Sequence, residues 1–210
     1  MSHSICLPDT WRASSCMAKK LVVAIDCDDV LLPSTIRIVE RYNTLYQTAV
    51  ELEHAHSSAY PGWNADRGTI HGRILEIQSS PEYAGTPPFE DAVTAVHRLA
   101  TEYELHLVTA RPVAVMAVTN GMIESHFGKC FASVEHVGLD GSKGEICRRI
   151  GADVLVDDNL KHLVDAASYG VIHGLWFGEY PWQQNDSSDI AIRCADWAAV
   201  EKEIAYIAKR

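Results

Sequence analysis

The chain has 210 residues, with 28 Asp and Glu against 18 Lys and Arg, and a formal net charge of -10 at pH 7. This length favours one α/β domain with an insertion over two full domains, and it allows a core that needs no disulfides. The acidic balance, without any run of basic residues, argues against a nucleic-acid polymer or an anionic membrane as partner. An anionic small substrate stays compatible, because a bound metal and local cations can reverse the sign of charge inside one cleft.

The six cysteines are scattered along the chain without a Cys-x-x-Cys pair. In a chain with its own core, this pattern predicts reduced thiols and hence a cytoplasmic protein. No apolar stretch of the sequence approaches membrane-spanning length. Residues 1–18 are predicted to be a loosely ordered lead-in. A mitochondrial presequence is the alternative, but Arg is sparse there, and Pro8 and Asp9 interrupt any amphipathic helix.

The first predicted element is a buried strand at residues 21–25, a continuous apolar run rich in β-branched side chains. This run ends abruptly in Asp26, Asp28 and Asp29. In open α/β sheets, reactive groups lie just beyond the carboxyl ends of strands. Three adjacent acids repel one another unless a cation holds them, and Mg²⁺ prefers such hard oxygen ligands. A solvated turn is the alternative interpretation, and it would suffice for a single acid.

Residues 33–87 are predicted to form a small helical insertion after this strand. Apolar residues at helical spacing predict a helix over residues 35–50, and Pro33 suits its start. A second helix is predicted over residues 66–77, with Asp66 as its cap.

From Phe89 onwards, helical and extended patterns alternate. Strands are predicted at residues 104–108, 131–137, 153–156 and 171–177, and helices at residues 89–100, 113–127, 142–150, 160–169 and 196–208. Such alternation predicts an α/β fold in which a parallel sheet carries helices on both faces.

Reactive side chains follow three of the predicted strands, and an ammonium group lies near the start of one predicted helix. These residues are Asp26, Asp28, Thr109, Lys143, Asp157 and Asp158. Strand ends at one edge of a parallel sheet face the same cleft. Such a set suits phosphoryl transfer, because an Asp can form an aspartyl-phosphate and divide hydrolysis into two easier displacements. Mg²⁺, Lys and Thr would then offset the charge of the phosphate and of the developing oxyanions.

Four segments, in this order, resemble the four motifs of the haloacid dehalogenase (HAD) superfamily. They are IDCDDV at residues 25–30, VTAR at residues 108–111, Lys143, and VDDN at residues 156–159. The resemblance covers about residues 20–178. It implies a Rossmann-like sheet with a mobile helical cap, which matches the helical insertion. The predicted domains are therefore an α/β core of residues 1–32 and 88–210, with a cap of residues 33–87.

The resemblance also implies roles for the acids. Asp26 is the expected nucleophile and a Mg²⁺ ligand. Asp28 is the expected general acid and then general base, with its backbone carbonyl on the metal. Asp157 is the second side-chain metal ligand, and Asp158 is a further candidate that acts directly or through water.

The remaining motif residues are expected to bind the substrate. Thr109 and Lys143 hold the phosphoryl oxygens, and Lys143 also masks charge on Asp26. Ala110 and Arg111 complete this phosphate-binding segment, although Arg111 has two open interpretations, a phosphate clamp and a cover for the sheet edge. Asp28 favours phosphate chemistry within the superfamily, because dehalogenases attack carbon with one Asp and need no second acid there.

Several aromatic and histidine residues have both a structural and a functional interpretation. Tyr42, Tyr46 and Trp63 either stack on a substrate or pack the core of the insertion, and packing is favoured. His54 and His56 lack the further ligands of a zinc site and are expected to be exposed. A late aromatic group is predicted to pack the sheet edge; it consists of Trp176, Tyr180 and Trp182.

The predicted function is Mg²⁺-dependent hydrolysis of a small phosphomonoester through an aspartyl-phosphate. The insertion, the VTAR segment and residues 175–182 resemble the 5'(3')-deoxyribonucleotidase group, so a nucleoside monophosphate is one candidate substrate. Asp29 departs from that group, which commonly has Gly there. The alternatives are a phosphotransferase or phosphomutase with the same intermediate, and a non-catalytic HAD-like scaffold that binds a protein. Mutually repelling acids argue against the scaffold, which has no use for them.

Overall fold

The computed structural model describes residues 20–138, 141–184 and 186–210. The predicted lead-in at residues 1–18 lies outside the described residues. The strands are β1 (Val22–Ile25), β2 (Glu104–Thr109), β3 (Ser133–His136), β4 (Val154–Asp157), β5 (His173–Phe177) and β6 (Ala191–Cys194). They form one parallel sheet in the order β3-β2-β1-β4-β5-β6. The predicted parallel α/β sheet is therefore confirmed.

Eight α-helices connect the strands within the described residues. They are α1 (Ser34–Tyr46), α2 (Arg67–Gln78), α3 (Pro81–Ala84), α4 (Glu90–Glu102), α5 (Met116–Phe127), α6 (Lys143–Ile150), α7 (Leu160–Ser168) and α8 (Trp197–Ile207). The helical insertion between β1 and α4 contains α1, α2 and α3. None of the described helices combines the length and the apolar character needed to cross a membrane.

Alternating side chains of the strands pack on opposite faces of the sheet, because successive strand residues point to opposite sides. Val23 and Ile25 of β1 belong to a core that includes buried residues of α4, α5 and α8. Ala24, between them, belongs to a second core with Leu155 and with buried residues of α6 and α7. The predicted placement of helices on both faces is thus confirmed. Each fully buried aliphatic side chain contributes about 1.5–3 kcal/mol to folding.

The register of the central strands determines where their ends lie. β1 pairs with β2 on one side and with β4 on the other, and all four of its residues are buried. Ile25 is aligned with Val156 of β4, and the backbone N–H of Asp26 donates to the carbonyl of Val156 at 2.9 Å. Asp26 and Asp157 therefore leave the sheet side by side.

The structure differs from the sequence prediction in three elements. Helix α1 ends at Tyr46 and not at residue 50, because Gln47 adopts a left-handed conformation (φ 51°). The side chain of Asn43 then pairs with both backbone groups of Val50, at 2.8 and 3.0 Å, in place of further helical turns.

The two missed elements are short. Ser80 and Pro81, which end α2, also begin the four-residue helix α3, with the Ser80 hydroxyl accepting from the N–H of Tyr83. Edge strand β6 has four residues, of which two are exposed, so it carries no apolar pattern that would reveal it. The four cysteines within the described ranges are free thiols, in line with the predicted cysteine chemistry.

Candidate active site

The side chains of Asp26, Lys143 and Asp157 meet at the carboxyl ends of the central strands. The Nζ of Lys143 lies 2.7 Å from Oδ1 of Asp26, and it donates to Oδ2 of Asp157 at 2.6 Å. The side chains of Lys143 and Asp157 have no solvent exposure, and that of Asp26 has 7%. The buried ammonium of Lys143 therefore links Asp157 to the candidate nucleophile, Asp26.

The first turn of α6 positions Lys143 beside Asp26 and Asp157. The Ser142 hydroxyl caps the helix by accepting from the N–H of Glu145 at 2.9 Å. Ser142 and the N–H of Gly144 both donate to the same carboxylate oxygen of Asp165 on α7. A Cβ at position 144 would lie 2.7 Å from the carbonyl oxygen of Asp165, so only glycine permits this approach of α6 to α7.

Three carboxylates in this cluster can hold a cation. Oxygens of Asp26, Asp157 and Asp158 lie within 4.8 Å of one another, and all three residues are buried. Oδ1 of Asp26 is buried, and the ammonium of Lys143 lies 2.7 Å from it. An all-oxygen donor set of three buried carboxylates, which a single Lys cannot balance, fits Mg²⁺ by its chemistry.

Burial and mutual repulsion of the carboxylates dominate the electrostatics of the cluster. Burial raises the pKa of Asp26 to about 7, and the charges of Asp157 and Asp28 add to this shift against the opposing effect of Lys143. Burial also raises the pKa of Asp157 and that of Asp158, with neighbouring carboxylates contributing to both shifts. The pKa of Lys143 is raised by its two carboxylate partners, although burial opposes this shift. Lys143 therefore stays charged, but it does not balance all the acids around it.

Asp28 binds Arg111 and does not join the cluster of Asp26, Asp157 and Asp158. The Nε of Arg111 lies 3.0 Å from both carboxylate oxygens, and Nη2 lies 2.6 Å from Oδ1. Arg111 is 2% exposed, and its other donors reach Ser34 and Tyr83 of the helical insertion and Thr119 of α5. Burial alone would raise the pKa of Asp28, but Arg111 outweighs burial and lowers it. In this conformation Asp28 is a carboxylate, and the guanidinium of Arg111 is saturated by protein acceptors.

A cleft of about 410 Å³ lies between the helical insertion and the strand ends. Its acidic lining residues are Asp26, Asp28, Asp29 and Asp158, all of which follow β1 or β4, and Ala110 and Arg111 also line it. The insertion contributes both polar and apolar side chains, and the apolar ones include Ile38, Val39, Trp63, Ile70 and Ile74. A volume of this order suits a small molecule and lies near the lower end of the range for ligand pockets.

No family model and no curated protein matches the sequence. Solved structures match it over most of its length. A predicted phosphatase from Clostridium acetobutylicum gives a TM-score of 0.64 at 13% identity, covering 90% of this chain and 100% of that one. A Bacillus subtilis protein described as a HAD-hydrolase and bound to magnesium gives 0.61 at 8% identity, covering 92% and 100%. A 2-haloacid dehalogenase from Pseudomonas syringae gives 0.50 at 15% identity, covering 90% and 100%.

The chain has the HAD fold. This confirms the fold that the four motifs predict, including its Rossmann-like parallel sheet. The similar structures have names that include both a phosphatase and a dehalogenase, so the likeness by itself does not choose between these two hydrolytic reactions.

Within the HAD fold, the predicted site residues fall into two groups. Asp26, Lys143, Asp157 and Asp158 form one cluster, and Thr109, at the end of β2, is fully buried in the strand next to β1. The Thr109 hydroxyl oxygen accepts from the N–H of Arg111 at 3.2 Å, which leaves its own proton to donate. A second group is formed by Asp28 and Arg111, which bind each other. Contact of Arg111 with a substrate stays a prediction.

Asp29, the departure from the nucleotidase pattern, has a structural role in this HAD fold. It adopts a left-handed conformation (φ 56°), which costs a non-glycine residue on the order of 1 kcal/mol. Its carboxylate accepts from the N–H of Thr35 at 3.0 Å and from the Thr35 hydroxyl. It therefore satisfies the start of α1, where Pro33 offers no side-chain cap.

Three supporting hydrogen bonds to Asp158 were not predicted from the sequence. The indole N–H of Trp176 donates to the backbone carbonyl of Asp158 at 2.8 Å, and that of Trp182 donates to its carboxylate at 3.2 Å. The Gln183 amide donates to the same carbonyl at 2.7 Å. The late aromatic group thus orients a candidate metal ligand, and nothing in its spacing signals this.

The aromatic residues of the helical insertion follow the favoured packing interpretation. Tyr42 and Trp63 are buried with ring centroids 4.7 Å apart, and Tyr46 lies 4.7 Å from Tyr42. Trp63 also lines the cleft. His56 is exposed, as expected, and its ring lies 5.0 Å from that of Trp182. His54, for which exposure was also expected, is half-buried, and its ring stacks on that of Tyr60 at 4.2 Å.

We expect the stability of the metal-free protein to fall as the pH rises from 5 to 8. The pKa of Asp26 is raised from 3.8 to about 7 on folding, so its stabilising protonation is fully present below pH 4 and is lost as the pH passes 7. A cation in the cluster removes this penalty. Thermal unfolding in EDTA should give a lower Tm at pH 8 than at pH 5, and added Mg²⁺ should raise Tm more at pH 8. An equal Mg²⁺ shift at both pH values would contradict binding at these carboxylates.

Proposed function

We propose that this protein is a Mg²⁺-dependent phosphomonoester hydrolase in which Asp26 is the nucleophile. The observation that carries the proposal is the pairing of Asp26 with buried Lys143, beside Asp157 and Asp158, at the floor of a cleft. Asp26, Asp157 and Asp158, with the backbone carbonyl of Asp28, would hold the Mg²⁺. When bound, the metal offsets the repulsion between these carboxylates and the phosphate dianion. Residues 33–87 are proposed to act as a cap over the core of residues 1–32 and 88–210.

In the first step, a carboxylate oxygen of Asp26 attacks phosphorus, and the bond from phosphorus to the leaving oxygen breaks. The Lys143 ammonium and the Thr109 hydroxyl donate to the phosphoryl oxygens as their charge develops. Asp28 gives a proton to the departing alcohol, which requires that it leave at least part of its contact with Arg111 and take up a proton in the substrate complex.

In the second step, water attacks the aspartyl-phosphate on Asp26. Asp28, then a carboxylate, takes the proton from this water, and the bond between Asp26 and phosphorus breaks. Inorganic phosphate leaves, and Asp26 returns to its carboxylate form. The lowered pKa of Asp28 beside Arg111 keeps it a carboxylate before this step, and loosening of the contact with Arg111 would raise its strength as a base.

Two features favour phosphate chemistry over dehalogenation. A second acid two residues after the nucleophile can protonate a leaving alcohol, a step that dehalogenation does not need. Buried Lys143 and an acid cluster that fits Mg²⁺ suit a dianionic phosphoryl group better than a haloalkanoate. Transfer of the phosphoryl group to an alcohol in place of water would make the protein a phosphotransferase, and added alcohol acceptors test this.

The direct test is a panel of phosphomonoesters with and without Mg²⁺. We expect phosphate release from at least p-nitrophenyl phosphate and one class among nucleoside monophosphates, sugar phosphates and phosphorylated acids. EDTA should lower the rate at least 100-fold, and excess Mg²⁺ should restore it. A 2-haloacid serves as the control. Halide release without phosphate release would identify a dehalogenase, and no release of either would contradict the proposal.

A further inference from the structure

Basic residues line the cleft, although the chain as a whole is acidic. The acids in its lining are the four that follow the strands β1 and β4. Among the described residues, every other ionisable group of the lining is basic: His56, Arg67, His71, Arg111, Lys161 and His162. Arg111 is already paired with Asp28, and burial lowers the pKa of His56 and that of His162, so Arg67 and Lys161 are the cations of the lining that are left to attract an anion.

Arg67 differs from the other arginines that the structure describes. Each of the others is paired with a carboxylate or lies over an aromatic ring; these are Arg37, Arg41, Arg73, Arg98, Arg111, Arg148, Arg149, Arg193 and Arg210. The side chain of Arg67 is exposed and makes no hydrogen bond, ion pair or ring contact with any described residue. This unpaired guanidinium lines the cleft.

The neighbouring acid does not neutralise Arg67. Asp66 caps α2, and its carboxylate accepts from the N–H groups of Gly68 and Thr69 and from the Thr69 hydroxyl. His71 follows Arg67 by four residues and so lies on the same face of α2. Both residues line the cleft, and a guanidinium offers the paired donors that suit a carboxylate or phosphate.

Apolar side chains of the insertion also line the cleft, beside its polar groups. Ile38 and Val39 come from α1, Ile70 and Ile74 come from α2, and Trp63 lies between the two helices in the chain. The indole N–H of Trp63 is taken by the carbonyl of Ser57 at 3.0 Å, so this ring offers only apolar surface. The lining therefore suits a molecule that carries an uncharged part as well as anionic groups.

We propose that the substrate is a phosphomonoester that carries a second anionic group, a carboxylate or another phosphate, and that Arg67 binds this group with His71 beside it. The inference rests on the proposed function, since it assumes that the transferred phosphate lies at Asp26. It favours acid-bearing substrates over a nucleoside monophosphate, whose base and sugar carry no charge.

The test uses alkyl phosphates of one chain length that end in a methyl group, a carboxylate or a second phosphate, assayed with Mg²⁺. We expect kcat/KM for the better of the two anionic esters to exceed that of the methyl ester at least tenfold. The carboxylate and phosphate arms identify which anion is bound. Arg67→Gln should remove most of this preference, and Arg67→Lys should retain part of it.

The matched control is Arg37→Gln, an exposed arginine of α1 that pairs with Glu40 and does not line this cleft. It should keep the full anion preference. Equal rates for all three esters, or a preference that survives Arg67→Gln, would overturn the inference and leave the proposed hydrolase intact. No phosphate release from any ester or from p-nitrophenyl phosphate would overturn the proposed function and the inference together.

Discussion

Replacement of Asp26 by Asn is expected to lower the turnover of every phosphomonoester by on the order of 10⁴-fold or more. The carboxamide has nearly the same shape as the carboxylate, but its oxygen is a poor nucleophile. No acyl phosphate can then form at this position. The measurement is phosphate release at saturating substrate and Mg²⁺, with rapid-quench detection of the phosphorylated protein in the parent chain.

The same variant separates a catalytic role from a structural one. Asp26 is buried among like charges that raise its pKa, so loss of its charge should leave Tm in EDTA unchanged or higher. The Tm increase caused by Mg²⁺ should shrink, because one ligand has lost its charge. Asp189→Asn, at an exposed position, is the matched control and should keep full activity. Retention of a few per cent of activity by Asp26→Asn would exclude the aspartyl-phosphate mechanism.

Replacement of Lys143 by Met is expected to lower the free energy of unfolding by about 3–5 kcal/mol at pH 7, because it leaves buried carboxylates without their cation. Lys143 is fully buried, with Asp26 at 2.7 Å and Asp157 at 2.6 Å. Water cannot replace these contacts without opening the site. For a domain of this size, such a loss corresponds to a Tm decrease on the order of 10 °C.

Thermal unfolding in EDTA measures this effect. The decrease should become smaller towards pH 5, where Asp26, with its pKa of about 7, is protonated and needs no partner. Lys202→Met, an exposed lysine of α8, is the control and should change Tm by no more than about 2 °C. A similarly small change for Lys143→Met would show that the ion pairs contribute little. Activity of Lys143→Met should also be lost, since the ammonium binds the phosphoryl oxygens in the proposed mechanism.

Much of the fold could be predicted because its main signals are local. An apolar run that ends in acids marks β1, and the alternation of helices and strands after Phe89 marks a parallel sheet. Short elements carry too few residues for a pattern. Thus β6, with two exposed residues among four, and α3, with a single turn, were missed.

The residues of the candidate site could also be predicted in part from local signals. Asp26, Thr109, Lys143, Asp157 and Asp158 could be named from the sequence, because each follows a strand or begins a helix. Strand order and register then bring these residues to one edge of the sheet. The sequence pattern predicts this meeting only if a parallel sheet is assumed.

The sequence by itself determined which residue types stand at the strand ends, since apolar patterns and helix caps are local properties. Tertiary packing decided which side chains face one another. Arg111 binds Asp28 across 83 positions of the chain, and Trp182 reaches Asp158 across 24. Arg67 is left without a partner because Asp66 turns to the backbone of α2. Such pairings depend on distances and donor directions that exist only once the chain is folded, so no spacing in the sequence encodes them.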